Sequence, residues 1–530
     1  MDTYADILFP LALENPLTYR IPGNLESEII IGKQVKAPVG RKIYTGVVWH
    51  IHQDRTHPVS GQTYKEIEGM EKSLPVIPEK TLKFWEWVGR YYMCPPGTVA
   101  KTSLSLWKFK RRNSFTGEPS FIQSEVGKPL YVNGTGRMDF YREHLQKIIL
   151  AGGQCLVLGP DRVTCDKLYE ALLPSFGEKM LCFHSKRTQK EQSHAQKELY
   201  AGNPCIVCGM HHALFLPFTR LGMIVVDMEE HPGHKKQDPA PYIHARDTAL
   251  MMGQMFRAQV VLGSVVPSLE TYYNLVKGKF EHINAMPQMH FPSKYLNLID
   301  TLKSQRTARE AGEVIAGGKE VLFVECDPDY LEDAPGDPGM KVCRPYQMHH
   351  FIDDKTGMIG FLHTEKLLSR KHFRATEQAL QFTVHALILA AAQKPPIPLF
   401  LQTSDMNHPF YQWIKEGDLS APLSLLLGER IRYGYPPYTR MITVTVSHYR
   451  KNIALKIASE IGELLRNKNL PVRVDGPFSP VGNRKILFSY RIQLIIPPGT
   501  KVRDVKDNLS ELLLQNPCSP AQCRIDVDPA

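Results

Sequence analysis

Between residues 129 and 280, short apolar runs alternate with helical or polar stretches. The runs are Cys155-Leu-Val-Leu158, Cys205-Ile-Val-Cys208, Met223-Ile-Val-Val226 and Gln259-Val-Val-Leu262, and each ends in small or charged residues. A strand that is apolar on both faces needs cover on both, which a parallel sheet between helices supplies. The pattern predicts a parallel α/β sheet with functional groups at the carboxyl ends of its strands. At 530 residues the chain exceeds one core, so about three or four domains are expected.

The stretch Tyr131-Val-Asn-Gly-Thr-Gly-Arg-Met138 sits where an ATPase carries its phosphate loop. A working loop reads G-x-x-x-x-G-K-[ST], with backbone N–H groups wrapping the phosphates, an ammonium on the β/γ oxygens and a hydroxyl on Mg²⁺. Here Gly134, Thr135 and Gly136 remain, Arg137 stands at the lysine position and Met138 at the hydroxyl position. A thioether is a poor ligand for a hard cation, and a planar guanidinium does not replace a compact ammonium. Tyr131 occupies the first glycine position, where its side chain is expected to crowd the phosphates.

Around this region the periodicity changes. The first hundred residues read as β-rich, with strands at Ile29-Ile-Ile31, Gln34–Ala37 and Tyr44–Ile51, then a helix at about Glu79–Tyr92. Trp107-Lys-Phe-Lys-Arg-Arg112 opens a basic, aromatic linker able to track a nucleic-acid backbone and stack a base. Residues 281–430 suggest a second, weaker α/β unit with a strand at Glu320–Val324 and a long helix from about Ala375 to Gln393. From Met441 onward, strands and amphipathic helices alternate in a βαββαβ-like order.

A net charge of +10 hints at a polyanionic partner. The ten cysteines are scattered, and Cys205 and Cys208 form a C-x-x-C without a second pair at zinc spacing, so packed thiols and no metal are expected. There is no apolar run near the roughly 18–20 residues that span a bilayer, and the acidic N-terminus lacks a signal peptide's basic region. No membrane association and a cytoplasmic location are expected.

Many ordered segments resemble the PriA family of replication-restart helicases. They include Phe9-Pro-Leu-Ala-Leu13, Leu17-Thr-Tyr-Arg-Ile-Pro22, Gly32-Lys-Gln-Val-Lys-Ala-Pro-Val-Gly-Arg41 and Tyr91-Tyr-Met-Cys-Pro95. Others are His212–Phe218, Leu221–Asp227, Glu229-Glu-His231, Tyr242–Asp247, Gly263–Glu270, Arg432–Tyr438 and Asp526-Val-Asp-Pro529. The resemblance implies a multidomain α/β protein. A β-rich domain binding the 3′ end of DNA covers 1–108, followed by a basic linker over 109–128. Two RecA-like helicase lobes cover 129–280 and 281–436, the second reduced, and an α+β C-terminal domain covers 437–530. The family's winged helix and eight-cysteine zinc module have no counterpart, since the second lobe holds only Cys326 and Cys343.

The departures fall on the ATPase motifs. The family's aspartate-led acidic motif appears as Asp227-Met-Glu-Glu-His231, where an extra Met keeps Asp227 and Glu229 from both occupying their usual places. The following Ala-Thr is Val265-Val266, and the positions of two γ-phosphate arginines are Leu389 and Ala392. Arg137, Met138, Asp227, Glu229 and Glu230 are therefore expected to be catalytically non-functional, with Gly134, Thr135, Gly136 and Arg137 as residual nucleotide-binding positions. By resemblance, Leu17, Thr18, Gly40 and Lys65 match the family's pocket for the 3′ end, Thr18 standing where the family has an aspartate. Lys42, Lys108, Lys110, Arg111 and Arg112 are the expected backbone contacts.

The resulting expectation is a DNA-binding protein that recognises forks, 3′ ends or single strands in replication restart or repair. It works without ATP hydrolysis, zinc or another cofactor, and its protein partners would be primosome components or single-strand-binding protein. Two alternatives stand beside it: an active ATP-dependent 3′→5′ helicase using Mg²⁺-ATP, and a protein-interaction scaffold that binds no DNA.

Overall fold

The computed structural model describes residues 2–53, 64–110, 126–285, 293–301, 304–327, 339–370, 372–468, 470–479 and 487–529. Arg111 and Arg112 lie outside the described residues. Four sheets organise the chain. The first is antiparallel, in the order Leu17–Arg20, Tyr4–Leu8, Lys42–His52, Gln34–Val39, Gly69–Met70. The pairing sets Asp6 opposite Thr18 on one side and His50 on the other.

The second sheet is parallel and seven-stranded, in the order Glu281–Asn284, Leu130–Asn133, Gln259–Ser264, Leu221–Asp227, Gln154–Leu158, Ile206–Gly209, Met180–Phe183. Leu221–Asp227 is buried along its whole length, as its unbroken apolar run requires. The third sheet is a parallel array of Leu296–Asp300, Leu399–Thr403, Thr356–Leu362, Glu320–Glu325 and Met340–Cys343. Its central helix, Ala375–Ala392, is largely apolar and is buried at 13 of 18 positions, His385 and the ion-paired Glu377 among them. The last sheet is antiparallel, in the order Arg473–Phe478, Phe488–Ile496, Arg440–His448, Gln522–Val527, crossed by helices Lys451–Asn467 and Val502–Gln515. The chain is thus a multidomain α/β protein with a β-rich N-terminal part, two parallel-sheet lobes and an α+β C-terminal part.

Three sequence expectations change. Ile29–Ile31 is not a strand: Ile29 plugs the first core while Ile30 and Ile31 are exposed in a turn. Glu281–Asn284 pairs with Leu130–Asn133, so the second sheet continues past residue 280. Trp107 and Phe109 are buried against Tyr200 with ring centroids at 6.2 and 5.7 Å, so neither ring is free to stack a base. Among the described residues, no helix is long and apolar enough to cross a membrane.

The parts are welded rather than strung. The helix Glu79–Tyr91 turns Leu82, Trp85 and Val88 inward, and Phe84 meets Phe215 of the first lobe at 5.8 Å between ring centroids. Trp107 Nε1 donates to Phe215 O at 3.2 Å. Val265, Val266 and Leu269, at the end of a first-lobe strand, are buried in the core of the second lobe. Leu269 N donates to Glu377 Oε1 at 2.8 Å, and Arg374 grips Glu270 through two parallel bonds of 2.6 and 3.1 Å. Such a fork-on-carboxylate pair is directional as well as strong. The C-terminal strand closes the ring. Buried Lys235 donates to Val527 O at 2.8 Å and pairs with Asp526 at 2.8 Å, while Asp528 receives Tyr91 Oη at 2.9 Å and Arg440 Nε at 2.8 Å.

Leu269→Ala deletes a fully buried side chain from this shared core. It should cost about 2–5 kcal/mol, read as a lowered urea midpoint followed through both lobes together.

Candidate functional site

The strand Leu130–Asn133 and the helix Arg137–Leu150 are joined by only three residues, Gly134, Thr135 and Gly136. Gly134 has φ +95°, a left-handed turn that glycine adopts without strain. Its N–H donates to Ser264 O at 3.1 Å, and Gly136 N–H donates to Ala285 O at 3.0 Å. A Cβ on Gly136 would lie 2.3 Å from Ala285 O, so backbone packs where a phosphate would sit. Tyr131 does not crowd this loop. It belongs to the strand, is buried, stacks on His282 at 5.6 Å and places its hydroxyl 3.3 Å from Ser264 Oγ. Met138 packs against the core beneath the helix.

Asp227 ends the central strand and is buried. Its Oδ1 accepts from Arg137 Nε at 2.7 Å and from Tyr141 Oη at 2.9 Å, and Arg137 also donates to Gly134 O at 3.2 Å. Gly263 makes room for this knot, since a Cβ there would sit 1.5 Å from the Tyr141 oxygen. Burial works against the Arg137 charge, but Asp227 beside it outweighs burial and holds the guanidinium above its ordinary range.

Met228 absorbs the inserted residue by adopting φ +52° with its side chain buried. The turn sends Glu229 away from Asp227. Its carboxylate accepts from Ser268 N at 2.8 Å, Ser268 Oγ at 2.9 Å and Arg246 at 3.2 Å, fixing the start of the helix Leu269–Val276. Burial raises its pKa, opposed by Arg246. Glu230 has a buried Oε2 that finds no hydrogen-bond partner among the described residues. Burial first and Glu229 second push its pKa well above the ordinary value, towards a neutral acid. On the second lobe, Leu389 is half-buried and Ala392 exposed, while His385 on the same helix is buried and held neutral by burial and by Arg137.

A Mg²⁺-nucleotide needs a free carboxylate for the metal, free N–H groups for the phosphates and a flexible cation at the γ-phosphate. In this chain Asp227, Arg137 and the N–H groups of Gly134 and Gly136 are engaged with one another or with backbone carbonyls. These residues do not fit the group.

A second set lies on the N-terminal sheet. Leu17 packs against the N-terminal core, and Thr18 Oγ1 donates to Asp6 Oδ1 at 2.7 Å. His52 Nε2 lies 3.4 Å from the same oxygen, and His50 Nδ1 lies 3.8 Å from Asp6 Oδ2. The carboxylate that the sequence lacks at Thr18 is thus present one strand away. Gly40 is an exposed turn residue with φ +62° and nothing within 4 Å of a Cβ placed on it, and Lys65 Nζ donates to its carbonyl at 3.2 Å. Lys42 is exposed two residues on. Lys108 and Lys110 are exposed but follow Trp107, whose carbonyl accepts from Gln34 at the far end of the strand Gln34–Val39. At about 3.3 Å per residue that is roughly 20 Å from Gly40, so the structure does not gather these lysines around the turn. Asp6, His50 and His52 escaped the sequence reading. The signal was the register, which the strand pattern alone does not carry.

Residues 6–105 match the family model described as "3′DNA-binding domain (3′BD)" of PriA, and residues 432–530 match "Primosomal protein N C-terminal domain". Over 327 residues the chain is 30% identical to the replication restart protein PriA of Rickettsia conorii, covering 57% of this chain and 49% of that one. Both ends of the chain thus match domains of the PriA family, and more than half of the chain is similar to PriA proteins. The PriA protein of Bacillus subtilis is 22% identical over 473 residues, 69% of this chain and 58% of the relative. The chain spans about half the length of the curated PriA relatives it matches. Among solved structures, RecG bound to a three-way DNA junction is 11% identical over 69% of this chain and 48% of that one, with a TM-score of 0.40, too low to argue from.

Arg137→Ala strands Asp227 as a buried, uncompensated charge and should destabilise the chain by about 3–5 kcal/mol in urea unfolding. A residue that served only a nucleotide would leave stability unchanged. Burial also holds His212 and His234 at about 4 and His211 at about 3, against an ordinary 6.5. The folded state therefore binds fewer protons than the unfolded state between those values. The contribution of these three histidines is full above 6.5 and is lost as the pH drops towards about 4, which urea midpoints across that window will show.

Proposed function

We propose that this PriA-like chain binds DNA, at forks and 3′-hydroxyl ends, as a component of replication restart that neither needs nor hydrolyses ATP. The observation that carries the nucleotide-independent half is the Arg137–Asp227–Tyr141 knot, which occupies the phosphate-loop cation and the acidic-motif carboxylate together. The DNA half rests on the match of residues 6–105 to a 3′DNA-binding domain, in a chain of net charge +10.

Asp6 supplies the acceptor at the DNA end. A terminal hydroxyl can donate to its Oδ2, while Thr18 holds Oδ1 in place. A carboxylate hydrogen bond of this kind is stronger than a neutral one, and the same charge repels a terminal phosphate. Lys65 and Lys42, around the Gly40 turn, give the backbone contacts. Such contacts release counterions, so binding weakens steeply with salt.

Fluorescence anisotropy on forked DNA, with a 3′-hydroxyl or a 3′-phosphate on the nascent strand, tests the reading. The wild type should prefer the hydroxyl end and bind equally well with and without Mg²⁺-ATP. Asp6→Asn should reduce that preference about tenfold or more, the size of a lost charged hydrogen bond, and leave overall DNA binding in place. DNA-stimulated hydrolysis above a no-protein blank would overturn the ATP-independent half. No DNA binding at low salt would overturn the other.

A further inference from the structure

Donors from both lobes meet beside Asp161, at the amino end of the helix Arg162–Phe176. Asp161 Oδ1 accepts the capping bond from Thr164 N at 2.9 Å. Its other oxygen, Oδ2, lies 3.1 Å from His349 Nε2 and 2.9 Å from His350 Nε2, both on the short second-lobe helix Met348–Phe351. A ring nitrogen of His231, from the first lobe, completes a set with Asp161 and His349 in which the donor atoms all lie within 4.8 Å of one another. The His231 and His349 rings are 5.4 Å apart and nearly perpendicular, and His349 and His350 are 4.3 Å apart at 72°.

Internal hydrogen bonding accounts poorly for the two second-lobe histidines. Two imidazole nitrogens converge on one carboxylate oxygen. His349 Nε2 is divided between that oxygen and Thr164 Oγ1 at 3.0 Å. His350 Nε2 is buried and makes no aligned hydrogen bond, although Asp161 Oδ2 is 2.9 Å away. Tetrahedral Zn²⁺ with bonds of about 2.0–2.1 Å sets its ligand atoms about 3.3 Å apart. The two Asp161–histidine separations of 3.1 and 2.9 Å are close to this, and His231 lies within 4.8 Å of Asp161 and His349.

We propose that Asp161, His231, His349 and His350 form a divalent transition-metal site that pins the second lobe to the first. Imidazole and carboxylate without thiolate suit Zn²⁺, Co²⁺ or Ni²⁺. His231 Nε2 meets Tyr346 O at 2.9 Å and its Nδ1 accepts from Gly233 N at 3.0 Å, so one of these backbone contacts yields when the ring ligates the metal. Lys167 Nζ donates to the His349 carbonyl at 2.6 Å. Lys167 is also the cation that a metal must tolerate there. Its ligands do not include Gly134, Thr135, Gly136, Arg137 or Asp227, although His231 closes the acidic motif, and the site does not depend on the DNA reading.

The test uses the full chain, stripped with a chelator and titrated with Zn²⁺ by calorimetry and with Co²⁺ by absorption. One equivalent should bind, and the cobalt spectrum should show tetrahedral d–d bands without thiolate charge transfer. Free Zn²⁺ a hundredfold above Kd should favour the folded state about a hundredfold, read as a raised Tm. His349→Gln should weaken binding by more than about tenfold, and Lys167→Met should tighten it by removing a like charge. Should His349→Gln fail to fold, His350→Gln, at a half-buried ring, serves in its place. Absence of stoichiometric binding, a thiolate band, or unchanged affinity in a folded His349→Gln or His350→Gln chain would each overturn the proposal.

Discussion

The ion pair between Arg137 and Asp227 sets the terms for the middle of this molecule. A buried carboxylate at the end of a parallel strand must be metal-bound, protonated or paired. Here it is paired, and Tyr141 takes the remaining reach of the same oxygen. Once the guanidinium is drawn onto Asp227, the loop before it shortens to three residues and its N–H groups close onto Ser264 and Ala285.

The same logic extends outward to the lobe interface. Glu229, turned aside at Met228, caps the helix that carries Leu269 and Glu270, and those two residues enter the second lobe's core and its ion network. Two lobes that share a hydrophobic core do not rock freely, because separating them exposes Val265, Val266 and Leu269 to water. The C-terminal strand then ties the N-terminal helix and the first lobe together through Asp526 and Asp528. These contacts hold the N-terminal helix, both lobes and the C-terminal strand against one another.

Much of this was legible in the residues. The unbroken apolar runs announced the parallel sheet of the first lobe, and the alternating C-terminal segments announced the βαββαβ order that the last sheet adopts. The strand at Ile29–Ile31 was misread because three consecutive isoleucines have high strand propensity wherever they fall, while here one anchors a turn. Tyr131 was misplaced because motif spacing counts residues and not loop length. Trp107 and Phe109 looked like stacking rings because burial against Tyr200 depends on a helix ninety-odd residues away.

By itself the sequence determined which residue types stand at each position: Arg137 and Met138 after Gly136, and Asp227-Met-Glu-Glu-His231 after an apolar run. Identity at a position is local information and needs no fold to be read. Only the tertiary structure decided what these residues touch. It paired Arg137 with Asp227 across 90 residues, placed Asp6 opposite Thr18 through strand register, and brought Asp161, His231, His349 and His350 to one point from two lobes. Register and packing between distant segments are set by the free energy of the whole core, and no short periodicity in the chain records them.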